Sequence, residues 1–275
     1  MNSNRKTAAG VGGLFTPKSI TIRRKEMITN KESPHGTNRK NAVIAGVLFI
    51  IGTVSGTISA ILSNPVLSAP DYLLRISANV NLVTIGAILQ FIMAISCAGI
   101  SLALYPILKK FSEGLAIGAV GFRLIENLLQ ILKAVSMVSL LALSQEFIRA
   151  GSPTNSYFQG IGEIITVASD WMIAAGIICF SIGASLYYIV FYQHRLLPRW
   201  LSVWGLVGIT LVTIGGVLIM LHVIPSFGTV QLILNLPIFP QEMVFAVWLI
   251  VKGFNPSAVA SGVTNTATHE LLSAS

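Results

Sequence analysis

Six long apolar runs limit what this chain can fold into. Each run has about 20 residues or more, the length that an α-helix needs to cross the hydrocarbon core of a bilayer. Backbone inside a bilayer must satisfy its own hydrogen bonds, and the runs lack the alternating pattern of barrel strands, so helices are the remaining assignment. The sequence predicts an all-α, polytopic transmembrane helix bundle. Its six spans are residues 42–62, 82–104, 115–143, 161–192, 200–224 and 230–251.

The composition agrees with a membrane protein. Hydrophobic residues make up 53% of the chain and charged residues only 10%, which excludes an ordinary soluble domain. The net charge is +8, but half of the basic side chains lie before residue 41. This charge therefore indicates membrane topology, and no nucleic-acid partner is expected.

Basic residues in the loops predict the orientation of the spans. The connections on the same side as the N-terminus carry Lys109, Lys110, Arg195, Arg199 and Lys252. The opposite connections carry only Arg75 and Arg149. Because basic loops stay on the cytoplasmic side, we expect both termini in the cytoplasm.

The two ends of the chain differ from the hydrophobic body. Residues 1–40 are polar and basic, and we expect a disordered cytoplasmic arm that touches anionic lipid, with translation starting at Met1 or Met27. The run that follows is too long for a cleavable signal peptide, so the first span is expected to stay as an anchor. Residues 41–254 form the predicted transmembrane domain, and residues 255–275 are expected to be a disordered cytoplasmic tail.

The third run contains charged residues within the segment GFRLIENLLQILK. At about 100° per residue, Arg123, Glu126, Asn127, Gln130 and Lys133 share an arc of about 120° on one helix face. A charged side chain in mid-membrane costs about 2.5–3.5 kcal/mol. The polar face is therefore predicted to point into the bundle, where its charges need partners.

Distance along the helix axes predicts those partners. Glu242 of the last run lies at about the depth of Arg123 and Glu126, so these three residues are predicted to form one cluster. Lys133 lies about 15 Å from the outer end of the third span and Asp170 about 13 Å from the start of the adjacent fourth span, and we predict a structural ion pair between them.

The last run contains Pro237 and Pro240, three residues apart. Proline removes helical hydrogen bonds, so the helix is predicted to break or kink there, with freed carbonyl groups near Gln241 and Glu242. Broken helices with a nearby acid are found at transporter binding sites and also as plain kinks.

Four segments resemble a known family. They are SAPDYLLRISANVNLVTIGAILQFI, GFRLIE in the third run, LLPRWLSVWGLVG at the fifth, and PQEMVFAVWLIVKG in the last. In this order they are similar to bacterial multi-pass membrane proteins grouped as domain of unknown function family 4386, over about residues 40–255. The family's third-span Arg and Glu correspond to Arg123 and Glu126, its fifth-span Pro to Pro198, and its last-span Glu to Glu242.

The resemblance implies a six-helix fold and a membrane location, which we expect to be the cell inner (plasma) membrane. It implies no reaction, because the family is functionally uncharacterised. Lys133 and Asp170 lie outside its pattern, which favours a structural role for that pair.

The residue inventory offers little support for an enzyme. The chain has four histidines, too scattered for an intramembrane zinc site, and HExxH, GxSxG and phosphate-binding loops are absent from the sequence. Cys97 and Cys179 are isolated in separate runs. No catalytic residue, metal site or cofactor is predicted, and an intramembrane enzyme remains the least favoured alternative.

Two other functions stay open. The protein binds a small anionic or zwitterionic ligand or lipid for sensing or transport, or it is a structural or accessory membrane protein whose charge cluster only fixes helix packing. The candidate ligand-binding residues are Arg123, Glu126, Asn127, Gln130, Gln241 and Glu242.

The lipid bilayer is the expected partner. The small-residue pairs Gly52/Gly56 and Gly114/Gly118 indicate close helix packing, which allows homo-oligomers without indicating them.

Overall fold

The computed structural model describes residues 34–153 and 157–262, most of which are helical. The helices are α1 Pro34–Leu67, α2 Tyr72–Ala78, α3 Val80–Leu108, α4 Glu113–Arg149, α5 Tyr157–Gln193, α6 Arg199–Met220, α7 Thr229–Asn235 and α8 Ile238–Val251. A short helical segment follows at residues 256–262.

The prediction of six spans is confirmed. Helices α1, α3, α4, α5 and α6 are each long and apolar enough to cross a membrane, and α7 with α8 makes the sixth span, Thr229–Val251. Helices α4 and α5 have 37 residues each. At about 1.5 Å per residue they exceed a hydrocarbon core of about 30 Å, so their ends extend beyond it.

The outer surface of the bundle is apolar. Large side chains such as Ile88, Leu128 and Leu232 are 55%, 55% and 68% exposed. Contiguous exposed apolar surface of this kind is typical of helices that face lipid. The buried interior is also mainly apolar, and its largest cluster contains the aromatic residues Phe49, Tyr187, Tyr188, Phe191 and Phe245.

Helix α4 lies between α3 and α5, and α6 packs on α5 and on the α7–α8 span. Helix α1, which is the first span, packs on the last span, because Gly46 of α1 lies against Ala246 of α8. Gly52 and Gly56 of α1 lie against Cys97 and Met93 of α3. This small-residue pair therefore packs inside the bundle, where the missing side chains allow close helix approach.

Residues 34–40 belong to α1, so the structure departs from the arm predicted for residues 1–40, and residues 1–33 lie outside the described residues. Arg39 explains part of this difference. Its Nη1 donates to the carbonyl of Leu249 at 3.0 Å and its Nη2 to that of Ile250 at 2.5 Å. A cation at these terminal carbonyls satisfies acceptors that have no partner within the helix.

The structure also departs from the disordered tail predicted for residues 255–275, because residues 256–262 are helical. Asn255 caps this segment, since its Oδ1 accepts from the backbone N–H of Ser257 at 3.2 Å. Val259 is buried against the bundle. Residues 263–275 lie outside the described residues.

The sixth span is broken where its prolines predict. Helix α7 ends at Asn235 and α8 begins at Ile238, with Pro237 between them. The carbonyl group of Pro237 accepts a hydrogen bond from Nε1 of Trp204 at 3.0 Å. The indole of α6 thus donates to a carbonyl group at the break and ties the sixth span to the fifth.

Candidate functional site

The polar face of α4 points into the bundle, as its helical periodicity predicts. Arg123, Glu126 and Asn127 are buried, with exposed fractions of 2%, 5% and 3%. Leu124 and Leu128 on the opposite face are 43% and 55% exposed. The start of α4 is fixed by Ser112, whose Oγ accepts from the backbone N–H of Leu115 at 3.3 Å.

Arg123 is held mainly by its own helix. Its Nη1 lies 2.6 Å from Oε2 of Glu126, one helical turn further along. Its backbone carbonyl accepts from Nδ2 of Asn127 at 2.6 Å. From α5, the ring of Phe180 lies 4.9 Å from the guanidinium carbon, so a cation–π contact covers one face of the group.

Several polar atoms of this group have no hydrogen-bond partner among the described residues. They are Nε and Nη1 of Arg123, Oε2 of Glu126 and Oδ1 of Asn127, all inaccessible to solvent. Nη1 and Oε2 nevertheless lie 2.6 Å apart as an ion pair, so Nε of Arg123 and Oδ1 of Asn127 are the atoms of this group without any polar contact among the described residues. Buried polar atoms without partners are costly, and their concentration at one place is unusual.

Glu242 lies near this group but is bonded elsewhere. Its Oε2 accepts from Oγ1 of Thr53 in α1 at 3.2 Å. Within the described residues, no nitrogen–oxygen contact of 4.0 Å or less joins Glu242 to Arg123. Arg123 interacts with Glu242 electrostatically over a longer distance. The predicted cluster therefore consists of one contacting pair, Arg123–Glu126, with Glu242 as a neighbour.

The remaining amide candidates are engaged in contacts between helices. Gln241 is fully buried, and its Oε1 accepts from the hydroxyl of Tyr188 at 2.9 Å while its Nε2 donates to the carbonyl of Leu201 at 3.3 Å. Oε1 of Gln130 accepts from Nε2 of Gln90 in α3 at 2.8 Å. Both residues thus bridge spans of the bundle.

Lys133 and Asp170 do not form the predicted ion pair, since no nitrogen–oxygen contact within 4.0 Å joins them in the described part of the chain. Nζ of Lys133 donates to Oε1 of Gln90 at 3.2 Å and lies 5.0 Å from the ring centre of Phe227. Oδ1 of Asp170 accepts from the hydroxyl of Ser226 at 2.7 Å. The two charges are close enough to interact electrostatically but have separate partners.

Several residues of these contacts were missed from the sequence, among them Gln90, Thr53 and Phe180. Gln90 is a lone amide within an apolar run, and its 2% exposure marks it as a buried polar residue that needs partners. Thr53 and Phe180 carry no signal of their own, because a threonine or phenylalanine is common in any apolar helix.

Over residues 34–153 and 157–262, no group of three His, Cys, Asp or Glu side chains could hold a metal ion.

The fold and these buried charges define a class, that of polytopic helical membrane proteins with an ionisable group inside the bundle. The family model described as "Domain of unknown function (DUF4386)" matches residues 44–253, so the chain belongs to this family. Neither the curated proteins nor the solved structures provide a match.

Proposed function

We propose that this membrane protein binds a small anionic or zwitterionic molecule, or a lipid headgroup of that chemistry, at Arg123, Glu126 and Asn127. The observation that supports the proposal is that Nε of Arg123 and Oδ1 of Asn127 are buried without a hydrogen-bond partner beside the Arg123–Glu126 ion pair. An intramembrane ionisable residue is costly to retain and is most often associated with a functional site.

The chemistry of the atoms suggests the ligand class. Nε of Arg123 is a donor that suits a carboxylate or phosphate oxygen. Oδ1 of Asn127 is an acceptor that suits an N–H or ammonium group. A molecule that carries both kinds of group would satisfy more of these atoms than a simple anion.

A purely structural role explains this pair less well. Arg123 and Glu126 are three residues apart on one helix, so their ion pair holds no two spans together. The hydrogen bonds of the candidate residues that do join spans are those of Glu242 with Thr53, Gln241 with Tyr188 and Gln130 with Gln90. These contacts favour a packing role for Gln130, Gln241 and Glu242. Arg123, Glu126 and Asn127 are left as the ligand-binding candidates.

Native mass spectrometry of the purified protein tests the proposal. We expect the wild type to retain a co-purifying anionic or zwitterionic species that Arg123→Gln loses. Arg149→Gln is the matched control, because Arg149 forms an ion pair of the same spacing with Glu146 on the same helix but is 71% exposed. Equal retention in wild type and Arg123→Gln would contradict the proposal and leave the packing role.

We also propose that both termini lie in the cytoplasm and that the protein resides in the plasma (inner) membrane. The basic connections support this orientation, since Lys109, Lys110 and Arg195 lie at the end of the bundle that carries residue 252. A C-terminal alkaline phosphatase fusion, which is active only outside the cytoplasm, is expected to be inactive. An active fusion would reverse the proposed orientation.

A further inference from the structure

A cavity of about 370 Å³ lies at the end of the bundle away from Lys109 and Lys252. Its walls are the last turn of α1, the middle of α4, the first half of α5 and residues 225–227 of the α6–α7 connection. Its volume is near the lower end of the range of about 300–1,000 Å³ that is usual for small-molecule sites. It is therefore large enough for a compact ligand.

The cavity is lined by one cation and one anion from different helices. Lys133 contributes from α4 and Asp170 from α5. They do not pair directly in the described residues, although each has a neutral partner, Gln90 for the lysine and Ser226 for the aspartate. An ammonium group has three donors and a carboxylate accepts several hydrogen bonds, so one neutral partner each does not saturate them.

Neutral polar groups extend the lining. The side chain of Asn64 in α1 borders the cavity and makes no hydrogen bond with another side chain or backbone group of the described residues. Phe227 borders it on another side, and its ring lies 5.0 Å from Nζ of Lys133. The cavity thus combines two opposite charges, a free amide and an apolar surface, which is the usual make-up of a selective small-molecule site.

We infer that this cavity binds a small zwitterion, with the anionic group of the ligand at Lys133 and its ammonium group at Asp170. A ligand that carried only one charge would leave the other protein charge without a compensating partner in a partly buried site, which is unfavourable. Phosphoethanolamine has the required chemistry, and it occurs both as a soluble compound and as the headgroup of phosphatidylethanolamine.

This site is separate from the one proposed at Arg123. Lys133 lies ten residues further along α4, which corresponds to about 15 Å of helix. Its occupation does not require a ligand at Arg123, so the two proposals stand or fall independently.

Thermal unfolding of the wild-type full-length chain in detergent is the first test. We expect phosphoethanolamine to raise the Tm at concentrations about tenfold lower than those needed for ethanolamine or inorganic phosphate, which each supply only one sign of charge. In a second arm, native mass spectrometry from mixed micelles is expected to show preferential retention of phosphatidylethanolamine over phosphatidylglycerol if the lipid is the source. A response to the soluble compound alone would identify a soluble source.

Substitutions locate the effect. Lys133→Gln and Asp170→Asn are expected to weaken the selective binding by about tenfold or more, because each removes a charge-assisted contact. Glu163→Gln is the matched control, since Glu163 is exposed on the same helix as Asp170 and does not border the cavity.

The comparison of phosphoethanolamine with its two halves needs no variant, so it remains decisive if a substitution prevents folding. The inference is overturned if phosphoethanolamine stabilises no better than either half and phosphatidylethanolamine is not preferred. It is equally overturned if Glu163→Gln weakens binding as much as Asp170→Asn.

Discussion

Gly183 of α5 provides the sharpest test of how α4 and α5 pack around Arg123. A Cβ added there would lie 3.0 Å from Cγ of Arg123, 3.2 Å from its backbone nitrogen and 3.2 Å from the carbonyl oxygen of Ala119. Two of these three atoms belong to the α4 backbone and cannot rotate away. Gly183→Ala therefore has to move the two helices apart by a few tenths of an ångström.

Gly176 is a matched position on the same helix. A Cβ there would lie 3.9 Å from its nearest neighbours in α4, which is ordinary van der Waals contact. Both substitutions gain about 1 kcal/mol of helix propensity. Only Gly183→Ala adds overpacking, which costs about 1–3 kcal/mol. The free energy of unfolding of Gly183→Ala should therefore be about 1–3 kcal/mol lower than that of Gly176→Ala.

Thermal unfolding followed by tryptophan fluorescence measures this difference. At about 2–4 °C per kcal/mol for a chain of this size, the Tm of Gly183→Ala should be lower than that of Gly176→Ala by several degrees. Gly183→Ala also displaces Arg123, so it should release any species retained at that site. Equal or reversed Tm values would refute the close packing of α4 and α5 at Gly183.

Two further predictions concern contacts at the ends of helices. Trp204→Phe removes the side-chain donor to the carbonyl of Pro237 and should lower the free energy of unfolding by about 0.5–1.5 kcal/mol, as measured by thermal unfolding. Trp200→Phe is its control, with an indole that is 52% exposed, and an equal loss would show that the hydrogen bond is unimportant. Asn255→Ala removes the cap on Ser257 and should cost about 0.5–2 kcal/mol and speed proteolysis after residue 254, whereas unchanged proteolysis would contradict the capping role.

The sequence was sufficient for the spans and for the buried face of α4. Both depend on local properties, which are the length of an apolar run and the period of an α-helix. The break at Pro237 was predictable for the same reason, because proline acts on its own helix. The short helix after Asn255 had a readable signal, since an Asn–Pro step matches an N-cap followed by a first-turn proline.

The pairing of charges between helices was not predictable in this way. Depth along the axis brought Lys133 and Asp170 to the same level, but the rotation of each helix about its own axis decides which way a side chain points. The actual partners, Gln90 and Ser226, are neutral residues that no charge-matching argument would select. Similarly, Glu242 turned out to be bonded to Thr53, which gives no signal in the sequence.

The contacts between the first and last spans constrain the order in which the bundle can be assembled. Arg39 binds carbonyl groups at the end of α8, and Thr53 binds Glu242 near its start. These partners are among the last spanning residues to be synthesised. Four other spans are therefore inserted while the inner face of α1 is still incompletely packed. Closure of the bundle is therefore a late event in biogenesis. A chain truncated before α8 would expose the unpacked inner face of α1 to the quality-control proteases of the membrane.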